Sequence, residues 1–122
     1  SAIDCYKQAS PDRTTCLRSI VQVSQHPGKM WRLVSPSRMT RLLPFNQNND
    51  ESTPWSDSQY PSLPLTYVQN GAIEIGCMSS MLNIESFPTS GFTTVPFIMN
   101  DRQSFDINTP LDLQIAEYLA AL

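Results

Sequence analysis

Apolar and polar positions change their spacing several times along this chain, and each change predicts a new element. Apolar residues at helical spacing predict a short helix over residues 2–9, another over residues 79–86 and a third over residues 110–122. Runs rich in β-branched and apolar residues predict strands over residues 15–24, 29–34, 65–75 and 93–99. Such an alternation of helices and strands is typical of an α/β layered domain.

The last predicted helix carries clear start signals. Thr109 can cap it with its side-chain oxygen, Pro110 suits the first helical position, and Asp112 stands three residues after the cap. The apolar residues that follow fall on one helical face: Leu111, Ile115, Tyr118, Leu119 and Leu122. The pattern therefore predicts a capped amphipathic helix.

Two polar side chains alternate with apolar ones just before this helix. Asp106 and Asn108 follow Phe105 and Ile107 in turn, so both polar side chains lie on one side of an extended segment. A carboxylate and an amide at this spacing can hold a hard cation against a phosphate. A solvated turn would show the same spacing, and the pattern alone leaves both interpretations open.

Glycine and proline residues predict irregularities in two of the predicted strands. Asn70-Gly71 is ordinarily a hairpin signal, but here the flanking residues can instead form one strand that is kinked at Gly71. In either case residues 65–75 are expected to provide the central strand of the second half of the chain. Pro96 indicates that its strand lies at a sheet edge or beside a bulge.

The chain of 122 residues is long enough for one α/β domain with a modest core. Residues 46–61 are dominated by Asn, Gln, Asp, Ser and Pro, which predicts a flexible loop of unusual length. A loop of this kind acts as a lid, contacts a partner or is disordered.

Charge is distributed unevenly along the chain. The formal net charge of −3 argues against general nucleic-acid binding, yet residues 1–41 hold seven of the eight Lys and Arg residues and only two of the eleven acidic residues. This basic part can receive an anionic ligand. The single histidine, His26, precedes Pro27 in a chain-breaking sequence, which favours a turn or packing role over general-base catalysis.

The cysteines and the hydropathy of the chain indicate in which cellular compartment the protein is expected. Cys5, Cys16 and Cys77 form an odd set without metal-ligand or redox spacing, as expected of reduced thiols in a cytoplasmic protein. No apolar run approaches the roughly 18 residues of a membrane-spanning helix. We therefore expect no membrane association.

Four stretches, in order, resemble the C-terminal half of the CMP-sialic acid synthetase family, the cytidylyltransferases that activate acidic nonulosonic sugars. The stretches are SIVQV (19–23) with HPGKMW (26–31), LPLTYVQNGAI (63–73), VPF (95–97), and SFDINTPLD (104–112) with IAE (115–117). The resemblance implies a Rossmann-like three-layer α/β/α nucleotidyltransferase fold, usually homodimeric. It also implies transfer of CMP from CTP to an acidic keto-sugar, with Mg²⁺ and release of pyrophosphate.

The resemblance also implies roles for single residues. Asp106 matches the metal-binding aspartate, and Asn108 stands where many members have a second aspartate. Lys29 matches the basic residue that faces the sugar carboxylate or the nucleotide phosphate, which makes it the second candidate catalytic residue beside Asp106. Gln69 and Asn70 lie on the strand that borders the sugar pocket.

Two departures from the family bear on the substrate. Members that use sialic acid commonly carry Arg-Gln where this chain has Tyr60-Pro61, and an aromatic residue where it has Glu74. Tyr60 and Glu74 therefore join the candidate substrate-binding residues. Loss of an arginine and gain of a carboxylate argue against ordinary sialic acid and favour a different nonulosonic acid.

The glycine- and lysine-rich loop and the later Pro-Thr-Ser-Pro-Leu-Arg stretch, with which the family binds CTP, do not occur in this sequence. The helix over residues 2–9 resembles the one that follows that second stretch. We therefore expect the C-terminal part of an enzyme that is inactive alone, whether its N-terminal half belongs to the same longer chain or to a separate one. The alternative is a non-catalytic dimerisation or binding module. Homodimer formation is expected through residues 29–65, where apolar pieces and Trp55 occur in a loop-rich segment.

Overall fold

The computed structural model describes residues 1–43, 54–82 and 91–122. Within these ranges the chain is a mixed α/β protein with three α-helices and five strands, which confirms the α/β class. In chain order the elements are α1 (Ala2–Gln8), β1 (Thr15–Gln22), β2 (Trp31–Ser35), β3 (Arg38–Arg41), β4 (Tyr67–Gly76), α2 (Met78–Leu82), β5 (Thr93–Met99) and α3 (Pro110–Ala121).

The chain divides into two compact units. The first comprises residues 1–22 and 67–122, and the second comprises residues 23–66. The predicted helices at the two ends are confirmed as α1 and α3. The predicted helix over residues 79–86 begins one residue earlier and is described as far as Leu82, since residues 83–86 lie outside the described ranges.

The first unit contains a three-stranded sheet with the order β4-β1-β5. Strand β1 runs parallel to β5 and antiparallel to β4. The expectation that residues 65–75 form a central strand is wrong for this sheet, because β1 occupies the middle. The central position explains why Cys16, Leu17 and Ser19 of β1 are almost completely buried.

Pro96 lies on β5 at an edge of this sheet, opposite Arg18 of β1. An edge strand tolerates proline because its missing N–H need not complete a ladder on both sides. The interpretation of residues 93–99 as an edge strand is therefore confirmed within the described part of the chain.

Strand β4 is one continuous strand with a large bulge, so the alternative of a hairpin at Asn70-Gly71 is wrong. Arg18 pairs with Glu74 and Ile20 pairs with Gln69, which leaves residues 70–73 of β4 opposite Ser19 alone. Gly71 has φ +68°, a left-handed conformation that glycine adopts without the strain of a Cβ atom. The glycine thus permits the bulge that keeps both flanks on one strand.

The second unit contains a hairpin of β2 and β3 and three single-turn 3₁₀ helices. The 3₁₀ helices are Pro27–Lys29, Trp55–Asp57 and Tyr60–Ser62. The strand predicted over residues 29–34 therefore begins at Trp31, two residues later than predicted, because Lys29 still belongs to the first 3₁₀ helix. Of the predicted loop over residues 46–61, residues 46–53 lie outside the described ranges.

His26 lies in the small core of this second unit, only 5% exposed. Its Nδ1 accepts a hydrogen bond from the Gly28 backbone N–H at 2.9 Å, and its Nε2 lies 2.8 Å from the Thr66 hydroxyl oxygen. The ring also meets the Trp55 ring edge-on at 5.5 Å. His26 therefore has the packing role that the sequence predicted.

Gly28 is required in this core because Trp55 lies against it. A Cβ atom at Gly28 would lie 2.7 Å from the Trp55 Cβ and 2.9 Å from the His26 Nδ1. Any side chain would therefore push Trp55 or His26 out of place.

Replacement of Ser19 by alanine should destabilise the protein by about 1–2 kcal/mol, because it removes a buried hydroxyl that bonds two part-buried polar groups of the bulge, the Ile73 N–H and the Asn70 side-chain oxygen. Urea unfolding followed by circular dichroism measures the loss. Ser37→Ala, in the exposed turn between β2 and β3, is the matched control and should change stability by less than about 0.5 kcal/mol. Equal effects of the two substitutions would contradict the expected role of Ser19.

Candidate functional site on strands β1 and β4

The candidate site is organised by two consecutive residues of β1, Arg18 and Ser19. Successive side chains of a strand point to opposite faces of the sheet, so these two residues approach the β4 bulge from opposite sides. Three of the four predicted substrate-binding residues lie at this bulge: Gln69, Asn70 and Glu74. All three therefore lie on one stretch of β4, and their substrate-binding role stays a prediction.

On one face, the Arg18 guanidinium joins the two flanks of the bulge. Its Nη1 donates a hydrogen bond to the Gln69 side-chain oxygen, and its Nη2 forms an ion pair with the Glu74 carboxylate at 2.8 Å. Both partners are partly exposed, with Arg18 the more buried of the two. A guanidinium suits this task because its planar group of donors can reach two acceptors at once.

On the other face, Ser19 holds the middle of the bulge. Its hydroxyl donates to the Asn70 side-chain oxygen at 2.6 Å and accepts from the Ile73 backbone N–H at 2.8 Å. The same Asn70 oxygen accepts from the Ala72 N–H at 3.2 Å, while the Asn70 amide lies 3.5 Å from the Met99 sulfur. Asn70 therefore lies with Ser19 and Met99, whereas Gln69 and Glu74 lie with Arg18.

The bulge lies towards the carboxyl ends of the two parallel strands. Gln69 pairs with Ile20, and the next residue of β1, Val21, pairs with Met99 at the end of β5. Open α/β sheets bind their ligands outside the carboxyl ends of their strands. Gln69 therefore lies within two residues of the sheet edge at which a ligand is expected, whereas Asn70 lies opposite Ser19 in the middle of β1.

Asp106 and Asn108 lie on the exposed segment that links β5 to α3. The Asn108 amide donates a hydrogen bond to the Asp106 carboxylate at 2.8 Å. The two side chains therefore do share one side of the segment, as the alternation predicted. The amide presents a donor to the carboxylate, so the two oxygen atoms do not converge on one point.

The helix cap fixes the backbone next to this pair. The Thr109 hydroxyl accepts from the Asp112 N–H at 3.2 Å, and the Asp112 carboxylate accepts from the N–H groups of Thr109 at 2.7 Å and Asn108 at 3.1 Å. The hydrogen bond with the Thr109 side chain, followed by those from the two backbone N–H groups, lowers the pKa of Asp112 below its ordinary value of 3.8. The predicted capping box is therefore confirmed.

A divalent cation could use Asp106 only with help from elsewhere. No cluster of three or more His, Cys, Asp or Glu side chains suited to a metal occurs among residues 1–43, 54–82 and 91–122. Mg²⁺ often takes one or two carboxylates together with water and substrate phosphates. The exposed Asp106 carboxylate suits this kind of site, whereas the Asn108 amide, which donates to that carboxylate, presents no ligand oxygen in this arrangement.

Lys29 belongs to the second unit, where its ammonium group anchors a loop. Its Nζ donates to the Ser56 carbonyl oxygen at 2.9 Å and also to the Ser58 carbonyl oxygen. Tyr60 belongs to the 3₁₀ helix Tyr60–Ser62 of the same unit, and its side chain lies outside the described part of the structure. The catalytic role of Lys29 and the substrate-binding role of Tyr60 stay predictions.

Arg18 and Ser19 are the site residues that the sequence analysis did not single out. One signal was available: a charged residue within an otherwise apolar, β-branched strand requires a partner when it is partly buried. The identity of that partner depends on strand register, which the sequence pattern did not reveal.

A separate cavity of about 540 Å³ lies beside α3. Its lining residues are Asn100, Arg102, Gln103, Phe105, Ala116, Leu119 and Ala120. Arg102 donates a hydrogen bond to the Leu119 carbonyl oxygen at 2.8 Å, so its guanidinium caps the end of the helix. Asp106 is not among the residues that line this cavity.

Comparison with known proteins adds no family assignment, because no protein-family model matches the chain and no curated protein matches it. Within the part of the chain that the structure describes, no helix has both the length and the apolar character needed to cross a bilayer.

Replacement of Asp112 by asparagine should destabilise the protein at neutral pH, because asparagine cannot supply the charged acceptor of the cap. A carboxyl group whose pKa is lowered by folding contributes stability above its unfolded pKa of 3.8, and this contribution disappears as the pH falls through the folded pKa. The midpoint difference between wild type and Asp112→Asn in urea should therefore shrink below about pH 4. Glu117→Gln, on the same helix outside the cap, is the control. A difference that persists unchanged at pH 2 would contradict this account.

Proposed function

We propose that this chain is the C-terminal part of a CMP-sugar synthetase-like nucleotidyltransferase. The complete enzyme would transfer CMP from CTP to an acidic sugar of the nonulosonic type, on a Rossmann-like three-layer α/β/α fold. The chain is expected to be inactive alone, since the CTP-binding motifs of the family would come from an N-terminal half. The three free thiols are consistent with a reducing, cytoplasmic compartment.

The placement of Gln69 within two residues of the carboxyl ends of β1 and β5 is the observation that carries this proposal. Strand β5 continues from that point into the segment that holds Asp106. The candidate sugar-facing strand β4 and the candidate metal-binding residue therefore belong to one compact unit, and an α/β nucleotidyltransferase requires both near the carboxyl edge of its sheet.

Asp106 would hold Mg²⁺ together with the phosphates of CTP, and Asn108 would join it once its amide turned the side-chain oxygen, in place of the donor, towards the ion. The ion would offset negative charge that develops on the α-phosphate when the sugar hydroxyl attacks and pyrophosphate leaves. The capping box holds the backbone N–H groups of Asn108 and Thr109, and the Asn108 amide in turn hydrogen-bonds the Asp106 carboxylate. The chain thus contributes position and charge, which in-line phosphoryl chemistry needs more than covalent catalysis.

A non-catalytic dimerisation or binding module is the second candidate, and the β2–β3 hairpin favours it. Four large apolar residues of the hairpin are exposed: Trp31, Leu33, Val34 and Met39. Lys29 of the same unit is already engaged with backbone carbonyl oxygens. A homodimer formed through this hairpin would serve either candidate, since the family is usually dimeric.

The catalytic proposal predicts Mg²⁺-dependent CTP binding when the missing motifs are supplied. Calorimetric titration of CTP with Mg²⁺ into the chain mixed with the N-terminal half of a CMP-sugar synthetase should show binding, and the chain alone should show none. Asp106→Asn should weaken the Mg²⁺-dependent binding by at least about tenfold, a loss expected when an ion loses its one carboxylate ligand. Asp101→Asn, in the exposed turn before this segment, is the control and should bind as the wild type does.

The two candidate functions predict different results in this experiment. Absence of CTP binding both with and without the added half would contradict the enzyme and favour the binding module. Binding that Asp106→Asn leaves unchanged would contradict the metal role of Asp106 while leaving the nucleotide site in place.

Dimerisation through the hairpin predicts a monomer when Leu33 is replaced by glutamate. Leu33 is 74% exposed, so a charge there should disturb an interface far more than the fold of the chain. Light scattering coupled to size exclusion measures the mass, and Ser37→Glu in the neighbouring turn is the control. A wild-type chain that is monomeric at high concentration would exclude this interface.

A further inference from the structure

We propose that Arg18 is a positioning residue for the sugar, a role that rests on the function proposed above. It holds Gln69 and Glu74 on the two flanks of the β4 bulge and offsets the charge of Glu74. An acidic sugar that approaches the strand therefore meets a neutral polar surface and not a free carboxylate.

The first part of the argument is geometric. Gln69 and Glu74 are separated by four residues of the bulge, and the Arg18 guanidinium contacts both. An arginine spans this gap because its two Nη atoms are held in one plane and can serve two acceptors. Lysine, with one nitrogen, would provide the charge but a less defined orientation for the two partners.

The second part of the argument concerns charge. Glu74 stands on the strand assigned to an anionic sugar, where a free carboxylate would repel the ligand. The ion pair with Arg18 at 2.8 Å offsets that repulsion in the folded chain. Since the pair is partly exposed, its effect on net stability should be small, whereas its effect on an incoming anion should be direct.

These two considerations also narrow the substrate. The Gln69 side-chain amide retains donors that Arg18 does not use, and the Glu74 carboxylate has a second oxygen that can accept from a hydroxyl or an amide N–H. Such groups suit the hydroxyl and acylamino substituents of an acidic sugar. Arg18 thus determines whether this surface accepts a carboxylate-bearing sugar at all.

The test measures sugar affinity by NMR titration of the chain mixed with the N-terminal half used above. Legionaminate, a nonulosonic acid other than ordinary sialic acid, is the acidic probe and N-acetylmannosamine the neutral one. Arg18→Ala should weaken binding of the acidic probe by about tenfold, and Glu74→Gln should strengthen it by a similar factor, as expected of one uncompensated charge near a partly exposed site. The double substitution should return the affinity to within about threefold of the wild type.

The neutral probe and a conservative variant separate positioning from simple stabilisation. Binding of the neutral probe should change less than binding of the acidic probe, by up to about threefold, because it shares the hydroxyl and acylamino contacts but carries no carboxylate. Arg18→Lys should restore part of the lost acidic affinity. Thermal melts identify any variant that fails to fold, and in that case Glu74→Gln, which keeps Arg18, still decides the sign of the effect.

The failures of the two proposals are distinguishable. If CTP binds but the acidic probe binds wild type and variants equally, or binds none of them, the role of Arg18 is overturned and the nucleotide function stands. If the substitutions change both probes by the same factor, Arg18 is merely structural. Loss of CTP binding and of sugar binding in the wild type overturns the proposed function itself.

Discussion

The buried hydroxyl of Ser19 is the contact on which the first unit depends. Antiparallel pairing of β1 with β4 would end at the bulge if residues 70–73 had no partner, since their backbone groups leave the ladder there. Ser19 replaces the lost ladder with one donated and one accepted hydrogen bond. Because Ser19 is completely buried, neither bond can be exchanged for a bond to water without cost.

Ser19 is the neighbour of Arg18 on β1, so the residue that stabilises the bulge lies next to the residue proposed to position the sugar. Ser19 holds the middle of the bulge on one face of the sheet, and Arg18 joins the flanks of the bulge on the other face. The geometry of the candidate sugar surface therefore follows from two neighbouring residues of β1. Bulges often re-aim side chains beside active sites, and this one separates Asn70 from Gln69 and Glu74. The candidate substrate residues therefore form two surfaces and not one.

The C-terminal helix α3 shows that capping and burial are separate properties of a helix. The helix is well capped, yet none of its residues is buried, and Leu111 is 63% exposed. Capping specifies where a helix begins, whereas burial requires a neighbouring layer. The cap therefore fixes where α3 begins, while most apolar residues of the helix stay exposed within the described part of the chain.

Local signals determined much of what the sequence predicted correctly. The Thr109-Pro110-Asp112 cap, the chain-breaking His26-Pro27-Gly28 and the edge position of Pro96 all depend on backbone chemistry within a few residues, so they are visible in the sequence. The register of β4 against β1, the pairing of Arg18 with Glu74 and the engagement of Lys29 with carbonyl oxygens were decided only in the tertiary structure. These contacts join residues far apart in the chain, and a hydrophobic pattern specifies which face is buried without specifying which partner stands opposite.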